Sequence, residues 1–173
     1  MSLKNTTQKF GSVSKFFHWT IFLCVSAQIY FVWVFKDMYW HKAIGATVLL
    51  LAIFWLIWRM FNVVPTPKPG PNNWQYYAAK IAHNLLFACI ILLPISGIIM
   101  GMAFNRSFDW FGIYTITPFS FIPQNETFGG YFSLAHTIIG YSLVALVSVH
   151  ILGALKHHFF DKDDVLKRML PFQ

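Results

Sequence analysis

Four apolar stretches, each long enough to cross a lipid bilayer, constrain the fold of this chain more than any other feature. A transmembrane helix needs about 20 apolar residues to span a hydrocarbon core of about 30 Å. The stretches run approximately from Phe16 to Phe35, from His41 to Phe61, from Ala78 to Phe104 and from Phe132 to Leu155. Only 11% of the 173 residues are charged, against about 25% in soluble domains. The sequence therefore predicts an all-α membrane protein, with one domain over residues 1–173 that forms a four-transmembrane-helix bundle.

Lysine and arginine are divided unevenly between the two sides of this predicted bundle. Ten of the 13 lie on the side of both termini, and only Lys36, Lys42 and Arg106 lie on the other. The positive-inside rule predicts that both termini are cytoplasmic and that the loop 105–131 is periplasmic. Topology and contact with anionic headgroups account for the net charge of +7, so nucleic-acid binding is not expected.

Two histidines in the last apolar stretch, His136 and His150, are 14 residues apart. Fourteen residues are close to four helical turns, so both imidazoles point to the same side of the helix, about 21 Å apart along its axis. Residues 137–149 carry no formal charge and are mostly apolar. This spacing is typical of a protein that holds two metal centres stacked across a membrane.

The predicted topology sorts the other histidines into layers. His41 joins His136 near the periplasmic side, whereas His18 and His83 join His150 near the cytoplasmic side, and His157 and His158 lie at the cytoplasmic mouth. Ionisable residues inside a bilayer are costly and usually functional. A small transporter would need a polar pathway, and the second and fourth stretches have few polar residues besides histidine.

The histidine pairs indicate haem rather than zinc. A zinc site needs three or four converging protein ligands, whereas haem iron takes four nitrogens from its own macrocycle and needs only axial ligands from the protein. Gly45, Gly140 and Gly153 follow His41, His136 and His150 within four residues, and glycine allows a flat group to approach the backbone. Helix packing is the alternative explanation for these glycines. No C-x-x-C-H motif occurs, which excludes covalent c-type haem.

The periplasmic pair is then His41 with His136. On the cytoplasmic side His150 is preferred because it shares a helix face with His136, and its partner is His18 in preference to His83. His83 is the alternative ligand, or it contacts a quinone or a haem propionate. His157 and His158 are interpreted either as an interfacial pair near a quinone or as solvated residues.

The histidines and their neighbours resemble the bacterial cytochrome b-561 family. The resemblance covers nearly the whole chain and rests on Phe17-His18-Trp19, on His41 with Gly45, on His83 with Pro94 and Gly97, on His136 and His150, and on His157-His158-Phe159-Phe160. It implies four helices in the bacterial inner membrane and two b-type haems held by the pairs His18/His150 and His41/His136.

The resemblance also implies an oxidoreductase that transfers electrons to ubiquinone. Stand-alone proteins of this type oxidise superoxide, and Lys36, Lys42 and Arg106 are the residues that would attract this anion from the periplasm. Asp37, Asp109 and Glu126 balance these three charges formally, so attraction requires local clustering of the cations. The alternative is a membrane-anchor cytochrome b subunit of a larger dehydrogenase or hydrogenase complex, which passes electrons from a partner protein to quinone.

Overall fold

The computed structural model describes residues 2–66 and 74–171, and most of them lie in four long helices. Residues 67–73, which include most of the proline-rich loop, lie outside the described residues. The helices are α1 (Ser12–Tyr30), α2 (Met38–Met60), α3 (Trp74–Ala103) and α4 (Glu126–Phe159). In the described part of the chain, four helical segments are long and apolar enough to cross a membrane. The predicted fold class, an all-α four-transmembrane-helix bundle, is confirmed.

Each helix begins earlier than the apolar pattern predicts, and at α2 and α4 a polar residue outside the apolar run caps the start of the helix. The Asp37 side chain accepts hydrogen bonds from the backbone N–H groups of Tyr39 and Trp40 at the start of α2. Asn125 likewise accepts from the N–H of Phe128, at 2.8 Å, at the start of α4. These caps satisfy backbone donors that have no partner within the helix. With 34 residues, α4 is about 51 Å long and extends beyond the bilayer core.

The predicted outer loop, 105–131, is shorter in the structure and contains a small hairpin. Its last six residues belong to α4, and strands β1 (Phe108–Trp110) and β2 (Tyr114–Ile116) pair antiparallel, with Asp109 opposite Thr115. The indole N–H of Trp110 donates to the Thr47 hydroxyl of α2 at 3.1 Å. The hairpin is therefore attached to the outer end of the bundle.

Helix α1 continues as a π-helical turn, Phe31–Phe35, before the chain reverses. Lys36 ends this turn with a φ of 53°, a left-handed conformation that breaks helical continuity. At the other end of the bundle, the Arg168 guanidinium donates to the backbone carbonyls of Gln8 and Thr66. The two terminal segments therefore lie on the same side, as the topology requires.

The apolar core lies between the two histidine layers. Ile21 and Val25 of α1, Leu86 of α3 and Leu143 of α4 form its buried centre, and side chains of α2 pack around them. Helix α4 packs along α3, α1 packs on α2, and α2 packs on α3. Among these described helices, α4 packs most extensively on α3, and side chains such as Leu143 connect it to α1 across the interior.

Candidate haem-binding site

The outer histidine layer consists of His41 on α2 and His136 on α4. Their imidazole centroids are 6.1 Å apart and the ring planes are nearly perpendicular, at 87°. The rings meet across the interior of the bundle. The structure thus brings together the two residues that the topology assigned to one layer.

The orientation of His136 is set by a polar recess on α3. Its Nδ1 lies 3.0 Å from the carbonyl oxygen of Leu93 and 3.1 Å from the Ser96 hydroxyl. Because a carbonyl oxygen only accepts hydrogen bonds, Nδ1 carries the proton and Nε2 keeps a free lone pair. This is the tautomer that a metal-binding histidine needs, with its second nitrogen held by a carbonyl.

Gly97 gives His136 the space to enter this recess. A Cβ atom at Gly97 would lie 2.9 Å from Cε1 and 3.1 Å from Nδ1 of the His136 imidazole. Both distances are shorter than normal carbon contacts. Ser96 and the Leu93 carbonyl were not predicted from the sequence, since a serine and a backbone group in an apolar helix carry no distinctive pattern. In this part of α3, the sequence pattern indicated only Pro94 and Gly97.

His41 is held differently, since its imidazole contacts the backbone of Gln28 on α1. Its Nδ1 is buried and lacks a hydrogen-bond partner, and the same is true of Oε1 of Gln28 on α1. A Cβ at Gly45 would lie 2.9 Å from Nε2 of Gln28. Gly45 therefore makes room for the Gln28 side chain. Buried polar atoms without partners are rare in proteins, and here they mark the interior of the outer layer.

The inner layer brings three histidines together. His150 on α4 lies 6.2 Å from His18 on α1 and 5.1 Å from His83 on α3, measured between ring centroids. None of these three forms a hydrogen bond to another described residue. Gly153, on the turn after His150, faces open space, since a Cβ there would meet nothing within 4 Å.

The separations are compatible with two imidazoles sharing one metal ion. Imidazole nitrogens bind first-row metals at about 2 Å, so opposed rings have nitrogens about 4 Å apart and centroids about 6 Å apart. The pairs His41/His136 and His18/His150 have this separation, whereas His83 lies about 1 Å closer to His150. Imidazole is also a suitable ligand for iron. The residues present therefore fit one haem in each layer.

The two histidines at the end of α4 differ from each other. His157 Nδ1 lies 2.7 Å from Asp163 Oδ2 and 3.2 Å from Asp161 Oδ2, while Lys156 also binds Asp161. The His158 ring packs on Phe159 at 4.9 Å, and its buried Nδ1 has no hydrogen-bond partner. Carboxylates of the C-terminal segment therefore hold His157 but not His158.

The outer charged residues occupy different local settings. Lys36 ends the π-helical turn and Lys42 lies one residue after His41 in α2, while the Arg106 guanidinium lies 5.4 Å from the centre of the Phe104 ring. Asp109 accepts hydrogen bonds from Tyr39 and from the backbone N–H of Gly112 in the hairpin. This carboxylate therefore has a structural role in the outer hairpin.

The family model described as prokaryotic cytochrome b561 matches residues 9–172. Cytochrome b561 homolog 2 of Escherichia coli K12 is 29% identical over 98% of this chain and 95% of its own length. Cytochrome b561 homolog 1 of the same organism is 31% identical over 76% of this chain and 73% of its own length. A protein of Yersinia pestis named probable superoxide oxidase CybB is 28% identical over 76% of this chain and 73% of its own length.

Proposed function

The chain belongs to the prokaryotic cytochrome b561 family, and from this premise we propose that it moves electrons across the bacterial inner membrane between two b-type haems. The observation that supports this most is the pair of histidine layers served by one helix. His136 and His150 lie 14 residues apart on α4, which is about 21 Å along the axis. The apolar core lies between them and supplies a low-dielectric separation.

His41 and His136 would bind the outer haem, and His18 and His150 would bind the inner haem. The bound haems supply an iron centre that accepts and releases one electron. The chain contributes the imidazole ligands, fixes their separation and keeps water from the interior. His83 stays the alternative ligand of the inner haem, because it also contacts His150. His157 and His158 would lie near the quinone.

Superoxide is the donor that we propose, and ubiquinone is the acceptor. Two superoxide anions each lose one electron and leave as dioxygen, while one ubiquinone gains two electrons and two protons to become ubiquinol. The Yersinia pestis relative named probable superoxide oxidase, which is 28% identical to this chain, supports this donor. Lys36, Lys42 and Arg106 would attract the anion to the outer face.

A second candidate is the membrane-anchor cytochrome b subunit of a larger dehydrogenase or hydrogenase complex. An exposed aromatic pair favours it, because Phe119 and Phe121 stack at 5.3 Å and are 48% and 79% exposed. Both residues follow the outer hairpin in the chain. Aromatic residues are enriched at protein interfaces, so a soluble partner that delivers electrons has a surface on which to dock.

The test uses the full chain, purified in detergent. We expect a haem assay to give two b-type haems per chain. The optical spectrum should show that superoxide reduces these haems. Added ubiquinone should reoxidise both haems, and removal of superoxide by a dismutase should stop the reaction. A preparation with two haems that superoxide does not reduce, but that carries a bound soluble subunit, would favour the second candidate. A colourless preparation would contradict both.

A further inference from the structure

The four proposed haem ligands differ in the hydrogen bonds that their second ring nitrogens make. His136 donates from Nδ1 into the recess formed by the Leu93 carbonyl and the Ser96 hydroxyl. His41 Nδ1 is buried and has no partner. In the described part of the chain, no residue forms a hydrogen bond to His18 or His150. Of the two layers, only the outer one therefore contains a described ligand, His136, whose Nδ1–H donates to a carbonyl oxygen.

The geometry of the recess defines the direction of these hydrogen bonds. The Ser96 hydroxyl is within 2.7 Å of the Leu93 carbonyl and donates its only proton there. Its oxygen then has only lone pairs to offer to the His136 N–H, 3.1 Å away. The N–H of His136 thus faces two acceptors at once. Ser96 is only 5% exposed, so water does not compete strongly for either of them.

Donation from Nδ1–H makes the opposite nitrogen a more basic ligand, because electron density shifts toward Nε2. A more basic axial ligand favours the oxidised iron over the reduced iron and therefore lowers the reduction potential. A hydrogen bond to the second nitrogen of an axial histidine is one of the established means by which a protein adjusts the reduction potential of a haem.

We propose that Ser96 and the Leu93 carbonyl lower the reduction potential of the outer haem below that of the inner haem. An electron that enters at the outer side then moves downhill toward the inner haem. Ser96 is a positioning residue in this arrangement, since it acts through His136. The proposal rests on the proposed function, because it requires two haems in one chain.

The main test compares Ser96→Ala with the wild type by optical redox titration. The outer component is identified as the one that His41→Ala lacks. We expect Ser96→Ala to keep both haems and to shift the outer potential upward, with the inner potential unchanged. Ser96→Thr keeps a hydroxyl and should restore the wild-type value. Unchanged potentials, or equal shifts of both haems, would overturn the proposal.

Ser142→Ala is the matched control. The Ser142 hydroxyl donates to the carbonyl of Ile138 within α4, at 2.8 Å, and it is exposed on the helix surface. Its removal should leave both potentials unchanged.

A further measurement needs no variant at Ser96, because the outer haem of the wild type should have the lower potential. The opposite order would overturn the proposal even with two haems bound, whereas absence of haem would count against the proposed function itself.

Discussion

At the scale of single residues, the histidine spacing predicted which rings meet, but not what holds them. The order of histidines along alternating helices was enough to pair His41 with His136 and to place His18 and His83 beside His150. Haem ligation by these residues stays a prediction. The recess behind His136 could not be predicted, because its main acceptor is a backbone carbonyl that any residue at position 93 would supply.

Substitution of His18 and of His83 should show which of the two binds the inner haem together with His150. We expect His18→Ala to lose one of two haems, and His83→Ala to keep both, because only His18 has the centroid separation from His150 that suits a shared iron. A haem assay on each purified variant measures this directly. The reverse pattern would assign the inner ligand to His83 instead.

A methyl group at Gly97 should displace His136. The added Cβ would lie 2.9 Å from its Cε1, so the imidazole has to leave the recess or rotate. We expect Gly97→Ala to lose the outer haem and retain the inner one, as measured by haem content and by optical spectra. Gly130→Ala is the control, because a Cβ there would meet nothing within 4 Å. Equal haem loss in both variants would contradict this explanation.

At the scale of elements, long apolar runs predicted the four helices, whereas the ends and the outer hairpin were set by local polar contacts. Asp37 and Asn125 extend α2 and α4 into residues that hydropathy alone left outside. Strands β1 and β2 have only three residues each, too few for an alternating pattern to be recognised. The hairpin depends instead on contacts such as the one between Trp110 and Thr47.

The bond between Trp110 and Thr47 should be measurable by a double-mutant cycle. Trp110→Phe removes the indole donor, and Thr47→Val removes the hydroxyl acceptor while keeping the side-chain shape. We expect each variant to lower the free energy of unfolding by about 1 kcal/mol. The double variant should lose less than the sum of the two, because the bond between Trp110 and Thr47 can be lost only once. Thermal unfolding monitors this, and strictly additive losses would show that the two groups do not interact.

At the scale of the whole molecule, the C-terminal segment joins the inner ends of α4 and α1. It leaves α4 and crosses to α1, where the Lys15 ammonium donates to the carbonyl of Leu170 at 2.8 Å and the Trp19 indole donates to that of Met169 at 2.9 Å. Trp19 is adjacent to His18, so this segment supports the inner histidine layer. The sequence could not predict this closure, because all the acceptors are backbone carbonyls.

Release of this segment should weaken the inner haem more than the outer one. Arg168 holds it by donating to the carbonyls of Gln8 and Thr66, and Arg168→Gln removes the charge that strengthens these bonds. Since the acceptors are exposed, we expect the variant to lower the free energy of unfolding by a value on the order of 1 kcal/mol. The inner haem should also be lost at a lower temperature than in the wild type, as measured by the optical spectrum on heating. Lys167→Gln makes the same change of charge in the same 3-10 turn, Lys167–Met169, without breaking a described side-chain hydrogen bond. Because Arg168 binds the Gln8 and Thr66 carbonyls and Lys167 forms no described side-chain hydrogen bond, equal effects of the two variants would mean that the inner haem depends on net charge and not on this connection.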